Sequence, residues 1–160
     1  MTAFTIHTVD TAPEGSKAML EGAKKQMGMV PNLFGVLAES PSTLQAYQQL
    51  HQAFLDTSFN PEELTVVWQT INVEHECGYC VPAHTGIAHS MKVDPALTEA
   101  LRNKAAMPTA KLQALQDATL SIVRNRGNIS EAELAAFYAA GYGQQQVLEI
   151  ILGLSQKVIS

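Results

Sequence analysis

Cysteines, aromatic residues and charges are all scarce in this chain. Its 160 residues include two cysteines, 6% aromatic and 16% charged residues, and the net charge is −5. The two cysteines are three residues apart, and in a reducing compartment such a pair is rarely a structural disulfide; it is more often a redox dithiol or half of a metal site. The one basic cluster, Lys17, Lys24 and Lys25, is interleaved with Glu14 and Glu21. We therefore exclude nucleic acid as an expected partner, because phosphate binding requires a concentrated basic face.

Long apolar runs are missing as well. Residues 1–16 contain no basic stretch followed by an apolar one, so the pattern of a secretory signal is absent. The apolar stretch near the end, residues 147–154, contains Glu149 and is far too short to span a bilayer. We expect a cytoplasmic protein with no membrane partner.

Apolar residues, in contrast, are plentiful and are spaced for helices along nearly the whole chain. They make up 46% of the sequence, and a chain of 160 residues is long enough to bury a core. No internal repeat or low-complexity segment interrupts them. The prediction is one all-α domain over residues 1–160, with residues 1–13 as an extended N-terminal arm and the two cysteines on a central helix.

Local start and stop signals place the individual helices. Ser40, Asn60 and Asp94 each precede a proline, which is typical of a helix start, and residues 130–133 form a capping box. Glycines 28, 127 and 141 are predicted stops. The predicted helices cover residues 14–27, 32–38, 41–57, 61–73, 77–91, 95–104, 109–127, 131–140 and 144–158.

The segment 65–73 is rich in β-branched residues and is also typical of a strand. However, Leu64, Val67, Trp68 and Ile71 follow the i, i+3, i+4, i+7 spacing of a helix. A strand here would also stand alone, without a partner to pair with. The pattern therefore favours a helix.

The last predicted helix is apolar almost all round, since only a few polar residues interrupt the series from Val147 to Val158. Such a helix either lies at the centre of the core or is covered by another subunit. We expect a homo-oligomer.

Two thiols and one imidazole share a face of the predicted helix at 77–91. Cys80 and His84 are spaced i, i+4, so the imidazole can take the thiol proton or stabilise the thiolate. Both sulfurs lie near the helix start, where free N–H groups favour negative charge, and Pro82 fits that position. Cys77 is close enough to form a disulfide with a sulfenic acid on Cys80.

Two further side chains are candidates for this site. Glu74 precedes the helix, and its carboxylate could reach His84 directly or through a water molecule to orient the ring or relay a proton. Tyr79 places a phenol between the cysteines. Both roles are hypotheses about geometry.

The pattern Glu-x-x-Cys-x-x-Cys-x-x-x-His at residues 74–84 resembles the signature of the AhpD-like alkylhydroperoxidases, in the carboxymuconolactone decarboxylase superfamily. Met-Val-Pro-Asn-Leu-Phe at 29–34, Asn-Pro-Glu-Glu at 60–63 and Ala-Ala-Gly-Tyr at 139–142, followed by residues 146–151, are similar to its peroxidase-related branch. The resemblance covers roughly residues 28–158.

This resemblance implies an all-α, AhpD-like fold that assembles as dimers, trimers or hexamers. It also implies reduction of an organic peroxide, with Cys80 as the peroxidatic sulfur, Cys77 as the resolving one and His84 as the base. An external dithiol or protein reductant would reset the pair, and no cofactor or metal is implied. The sequence departs from the best-studied members in two places. Thr65 stands where they have a glutamate, and Tyr79 where they have a histidine before the second cysteine.

These departures leave Glu74 as the acid of the relay, with Glu62 as a weaker candidate. Several other interpretations of the cysteines stay open: a buried inert pair, a zinc site that includes His89, a lactone decarboxylase on the same fold, or a dithiol redox sensor without catalysis. A thioredoxin-like oxidoreductase is excluded, because its motif needs a strand before it and a sheet around it. His51 is interpreted as a packed core residue, and His75 and His89 as surface or partner-contact residues.

Overall fold

The computed structural model describes residues 4–160, which form nine α-helices and no β-strand. The all-α prediction is therefore confirmed for this part of the chain. The helices, in chain order, are α1 (Glu14–Met27), α2 (Asn32–Leu37), α3 (Pro41–Leu55), α4 (Pro61–Glu74), α5 (Cys80–Ser90), α6 (Pro95–Arg102), α7 (Ala110–Arg124), α8 (Glu131–Ala139) and α9 (Gln144–Ile159). Among the described residues, no helix combines the length and apolarity needed to cross a bilayer.

The predicted caps form where the local sequence encodes them. Asn60 and Glu63 exchange hydrogen bonds in a capping box, and Ser130 and Glu133 form a second one. α1 ends at Gly28, which has a left-handed φ of 75°. Each motif needs only neighbouring residues, because it satisfies backbone N–H or C=O groups that a helix end leaves free.

The helices fall into two compact units. The first includes the described residues up to Gln52, together with Ser160, and its core contains Ala12, Leu20, Ala38 and Leu44. Gly35 is required in this unit, because an added Cβ would lie 2.7 Å from the carbonyl oxygen of His7. This close approach lets the backbone N–H of His7 donate to the Gly35 carbonyl at 3.0 Å.

The second unit, Ala53–Ile159, is built around α4. Every residue of this helix from Glu63 to Asn72 is buried, and it packs against α5, α6, α7 and α9. A helix surrounded in this way is stabilised by packing on all sides, which outweighs the weak helix preference of its β-branched residues. The helix prediction for this segment is confirmed over the strand interpretation.

The start of α5 differs from the prediction. The helix begins at Cys80, and Cys77 lies in the preceding turn. α4 continues to Glu74, and the chain then turns at Glu76, which has a left-handed φ of 52°. The backbone N–H of Cys77 donates to the Asn72 carbonyl at 3.0 Å and ties this turn to the end of α4. Residues 75–79 are therefore used in the turn and cannot join the helix.

Candidate functional site

Cys77 and Cys80 form a disulfide at the start of α5, with their Cα atoms 5.3 Å apart. Cys77 is half-buried in the turn, whereas Cys80 is only 3% exposed. The backbone N–H of Cys80 donates to the Sγ of Cys77 at 3.1 Å. The first N–H groups of a helix and its dipole favour negative charge. In the reduced protein, this position would stabilise a thiolate.

His84 lies one helical turn after Cys80 and is buried, with 5% of its surface exposed. Its ring packs against the indole of Trp68 from α4, with centroids 4.7 Å apart and planes tilted by 53°. The Trp68 N–H donates to Oε1 of Gln156 on α9 at 2.7 Å. The indole is therefore held by a bond of its own, and it limits the movement of the imidazole.

Lys157 of α9 reaches the same imidazole. Its Nζ lies 3.3 Å from Nε2 of His84, and the side chain is only 4% exposed. Burial lowers the pKa of Lys157 from its ordinary value of 10.5 to about 8. A lysine with such a pKa exchanges its proton near neutral pH, which an exposed lysine does not do.

Two buried amides of α4 hold the first turn of α5. Nε2 of Gln69 donates to the Val81 carbonyl and to the Thr85 hydroxyl, each at 3.0 Å. Nδ2 of Asn72 donates to Oε1 of Gln69 at 3.0 Å and to the Cys80 carbonyl at 3.4 Å. These bonds fix the backbone of Cys80 relative to the central helix.

Glu74 and Tyr79 lie in different surroundings from His84. Both carboxylate oxygens of Glu74 accept hydrogen bonds from Arg124 of α7, at 2.7 and 2.9 Å. The bond from Arg124 lowers the pKa of this carboxyl. The side chain also lines a cavity of about 330 Å³ beside α6 and α7. Tyr79 is 45% exposed at the start of α5. The relay role of Glu74 and the role of Tyr79 stay predictions.

Thr65 and the neighbouring glutamates, the other positions at which the sequence was compared with the AhpD-like pattern, lie near the start of α4. The hydroxyl of Thr65 donates to the Pro61 carbonyl at 2.8 Å. Glu62 is exposed, whereas Glu63 is buried and accepts bonds from Tyr142 and Lys111 at 3.0 and 2.9 Å. Glu63 is thus part of the α4 cap and of its contacts with α7 and the turn before α9.

No group of three or more His, Cys, Asp or Glu side chains within residues 4–160 is arranged to hold a metal ion. His75 and His89 are both exposed, and His51 is half-buried and stacks on Tyr47 with centroids 6.2 Å apart.

The sequence analysis missed four polar residues of this site: Gln69, Asn72, Gln156 and Lys157. Lys157 had one local signal, because it is a cation in a helix that is otherwise mostly apolar. Gln69 and Asn72 interrupt the apolar pattern of α4 at i, i+3, which indicates a buried polar pair. Trp68 belongs to the buried core, and its indole also packs against the ring of His84.

Comparisons with known proteins support the fold. No protein-family model and no curated protein sequence matches the chain. One similar solved structure is an alkylhydroperoxidase AhpD core, an uncharacterized peroxidase-related protein from Ralstonia eutropha JMP134. It has a TM-score of 0.80 and 21% identity over 99% of this chain and 90% of that one. Another is an uncharacterized peroxidase-related protein from Silicibacter sp. TM1040, with a TM-score of 0.78 and 20% identity over 99% and 91% of the two chains.

Proposed function

We propose, from the AhpD-like fold of the chain and the dithiol at the start of α5, that the protein is a thiol-dependent peroxidase that reduces organic hydroperoxides. The observation that carries the proposal is the combination of a Cys77–Cys80 disulfide with a buried imidazole, His84, one turn after Cys80. The resemblance of the cysteine motif to AhpD-like sequences and the similarity to peroxidase-related structures both support peroxide reduction.

The proposed reaction has three steps: oxidation of Cys80, disulfide formation and reduction of the disulfide. The Cys80 thiolate attacks the terminal oxygen of the hydroperoxide, the O–O bond breaks, and the alkoxide leaves as an alcohol after it takes a proton. Cys80 is then a sulfenic acid, oxidised by two electrons. The Cys77 thiol displaces the hydroxyl to form the disulfide, and water leaves. An external dithiol or protein reductant returns two electrons and two protons.

The two sulfurs take different roles because their surroundings differ. Cys80 lies within the first turn of α5, where N–H groups favour a thiolate, and His84 follows one helical turn later, which supports a role as the acceptor of its proton. Cys77 lies outside the helix, on the turn. We assign Cys80 as the nucleophile, Cys77 as the resolving thiol and His84 as the base.

The test is consumption of an organic hydroperoxide by the full chain with a dithiol reductant. We expect C80S to lose turnover entirely. C77S should lose turnover yet still form one sulfenic acid per chain, which a carbon nucleophile can trap. H84Q should lose activity on the order of 10²-fold or more, typical of a lost general base. The control is H89Q, since His89 is an exposed histidine on the same helix. Turnover by C80S equal to that of the wild type would refute the proposal.

The same preparation tests the other roles predicted from sequence. A relay through Glu74 requires E74Q to lose activity like H84Q, whereas a purely structural ion pair with Arg124 requires near wild-type turnover. Y79F tests the phenol of Tyr79 in the same way. Consumption of a lactone acid without peroxide turnover would favour a decarboxylase. A change of oligomer size with reductant, again without turnover, would favour a redox sensor.

We also propose assembly as a homo-oligomer in the cytoplasm. The proposal rests on the largely apolar α9, in which Leu148 and Val158 are 67% and 71% exposed and available to a partner subunit. Light scattering of the wild type and of L148E would test the assembly; identical monomeric masses would contradict it.

A further inference from the structure

α9 brings the buried cation Lys157 to the imidazole of the proposed active site. Lys157 is separated from His84 by 73 positions in the sequence, yet its Nζ lies 3.3 Å from Nε2 of that ring. Burying a charged ammonium is unfavourable unless it has a partner. The contact between buried Lys157 and buried His84 therefore costs stability, which suggests a role in proton transfer.

We propose that Lys157 is the terminal proton carrier behind His84, so that Cys80, His84 and Lys157 form one proton relay. In this relay, His84 touches the reacting groups and Lys157 acts only through His84, as a positioning residue. The role of Lys157 in turnover rests on the proposed peroxidase function. The effect of Lys157 on the pKa of the Cys80 thiol is independent of that function, because it is present without any peroxide.

Every proton that moves along the relay is returned by the end of one oxidation of Cys80. When Lys157 is an amine, it accepts the Nε2 proton of His84, while Nδ1 takes the proton of the Cys80 thiol. The products are a thiolate and an ammonium. After the thiolate attacks the hydroperoxide, the departing alkoxide takes a proton from Nδ1, and Lys157 returns its proton to Nε2. The same proton is thus stored on Lys157 and given back.

The proton affinities make this transfer easy in both directions. Burial lowers the pKa of Lys157 to about 8, which is close to the value of about 8.5 for an ordinary thiol. Proton transfer is most efficient when donor and acceptor are matched in this way. An exposed lysine, with its ordinary pKa of 10.5, would stay protonated at neutral pH and could not accept the proton of His84.

Other charged groups on the helices packed around α5 and α9 either have partners of their own or are exposed. Glu63 and Glu74 of α4 are bound by Lys111 and Arg124 of α7, while Asp117 of α7 accepts from Gln113. Glu149 of α9 accepts from Ser58. The remaining members are Glu99 of α6, which accepts from Asn103, and three exposed residues, Glu62 of α4, Arg102 of α6 and His89 of α5. Lys157 is the cation that the structure places against His84.

The experiment compares the wild type with K157M, K157R and the control K25M, which removes a lysine from the exposed face of α1. The first readout is the pH at which thiolate absorbance of Cys80 appears in reduced chains that also carry C77S. We expect K157M to move this pH upward by about one unit or more, as loss of a nearby opposite charge does. K157R and K25M should leave it near the wild-type value, because the cation is retained.

The second readout is the pH profile of peroxide turnover. Turnover of the wild type should rise as pH increases through about 8, where Lys157 loses its proton and becomes the amine that accepts from His84. K157M should turn over on the order of 10²-fold more slowly at pH 8, and its rise should move upward with the thiolate. K157R should be as slow as K157M, since arginine stays protonated and cannot accept the proton.

The two readouts separate the two proposals. A wild type without turnover, but with the predicted thiolate difference in K157M, would refute the peroxidase function and support the Lys157 relay. Turnover in the wild type, together with unchanged thiolate formation and an unchanged profile in K157M, would overturn the relay and leave the peroxidase function standing.

Discussion

Replacing Lys157 with methionine should make the protein more stable while it impairs the proposed relay. The pKa of Lys157 falls from 10.5 to about 8 because the side chain is buried. At about 1.4 kcal/mol for each pKa unit, keeping the ammonium buried at neutral pH costs about 3 kcal/mol. Methionine has a similar length and carries no charge, so K157M removes this cost.

Loss of the contact with His84 offsets part of this gain. In K157M, Nε2 of His84 loses the bond from Nζ, and such a bond contributes about 1 kcal/mol. The expected net stabilisation is about 2 kcal/mol at pH 7. For a chain of this size, this corresponds to a rise in melting temperature of about 4–8 °C. A variant that is more stable and less active would be a trade-off between stability and function at this one position.

The sign of the pH dependence gives a sharper test. Between pH 8 and 10.5, the unfolded chain holds the Lys157 proton and the folded chain has released it. The wild type should therefore gain stability as pH rises through this window, whereas K157M should not. The assay is chemical denaturation of the disulfide forms at a series of pH values, because oxidised cysteines do not titrate there. K25M, which removes an exposed lysine, should stay within about 0.5 kcal/mol of the wild type. A K157M less stable than the wild type at pH 7, or parallel pH curves, would refute this reasoning.

Three further predictions concern the packing and hydrogen bonds of the second unit. G153A should lower the unfolding free energy by about 1–3 kcal/mol, because the added Cβ would lie 2.7 Å from the buried ring of Phe54; a stabilised variant would show that the ring moves freely. Burial raises the pKa of Glu63, but hydrogen-bond donors that include Lys111 outweigh burial, and the pKa lies below the ordinary 4.5. The ionised Glu63 therefore stabilises the fold, and the wild type should be about 1–2 kcal/mol more stable than E63Q above pH 4.5. This advantage should be lost as pH falls further and the carboxylate is protonated. An advantage that persisted in acid would contradict the role of the carboxylate. Q69L should cost about 1–3 kcal/mol and accelerate amide exchange in the first turn of α5, and unchanged exchange there would show that the amide does not hold this turn.

Features encoded by neighbouring residues were predicted correctly from the sequence. Asn60 with Glu63 and Ser130 with Glu133 form capping boxes as expected, and Gly28 ends α1. Each depends on bonds within one helical turn, so the sequence pattern contains all the partners. The pairing of Cys77 with Cys80 is equally local, and the all-α architecture follows from the sum of such signals.

The displaced start of α5 has a local cause, since the Cys77 N–H donates to the nearby Asn72 carbonyl around a left-handed Glu76. Such a helix end is usually marked by glycine, so Glu76 gave no signal of it.

Features that depend on distant residues could not be predicted from local patterns. Lys157 and Trp68 meet His84 only after α4, α5 and α9 pack together. The sequence placed Glu74 close to His84 along the chain, but the fold engages its carboxylate with Arg124, fifty residues away. Periodicity predicts which face of a helix is apolar, and it does not specify which helix will cover that face.

The unequal exposure of the two sulfurs gives the proposed peroxidase different atoms at which electrons would enter and leave the pair. Cys77 is half-buried on the turn, whereas Cys80 is 3% exposed. On the proposed function, a reductant thiolate attacks the sulfur of Cys77 in the Cys77–Cys80 disulfide, and Cys80 leaves as a thiolate. We expect a protein reductant with a single thiol to be trapped as a mixed disulfide on Cys77 of the oxidised wild type, and none to be trapped on Cys80. Oxidant and reductant would then not compete for one sulfur, and the pair would carry electrons in a single direction.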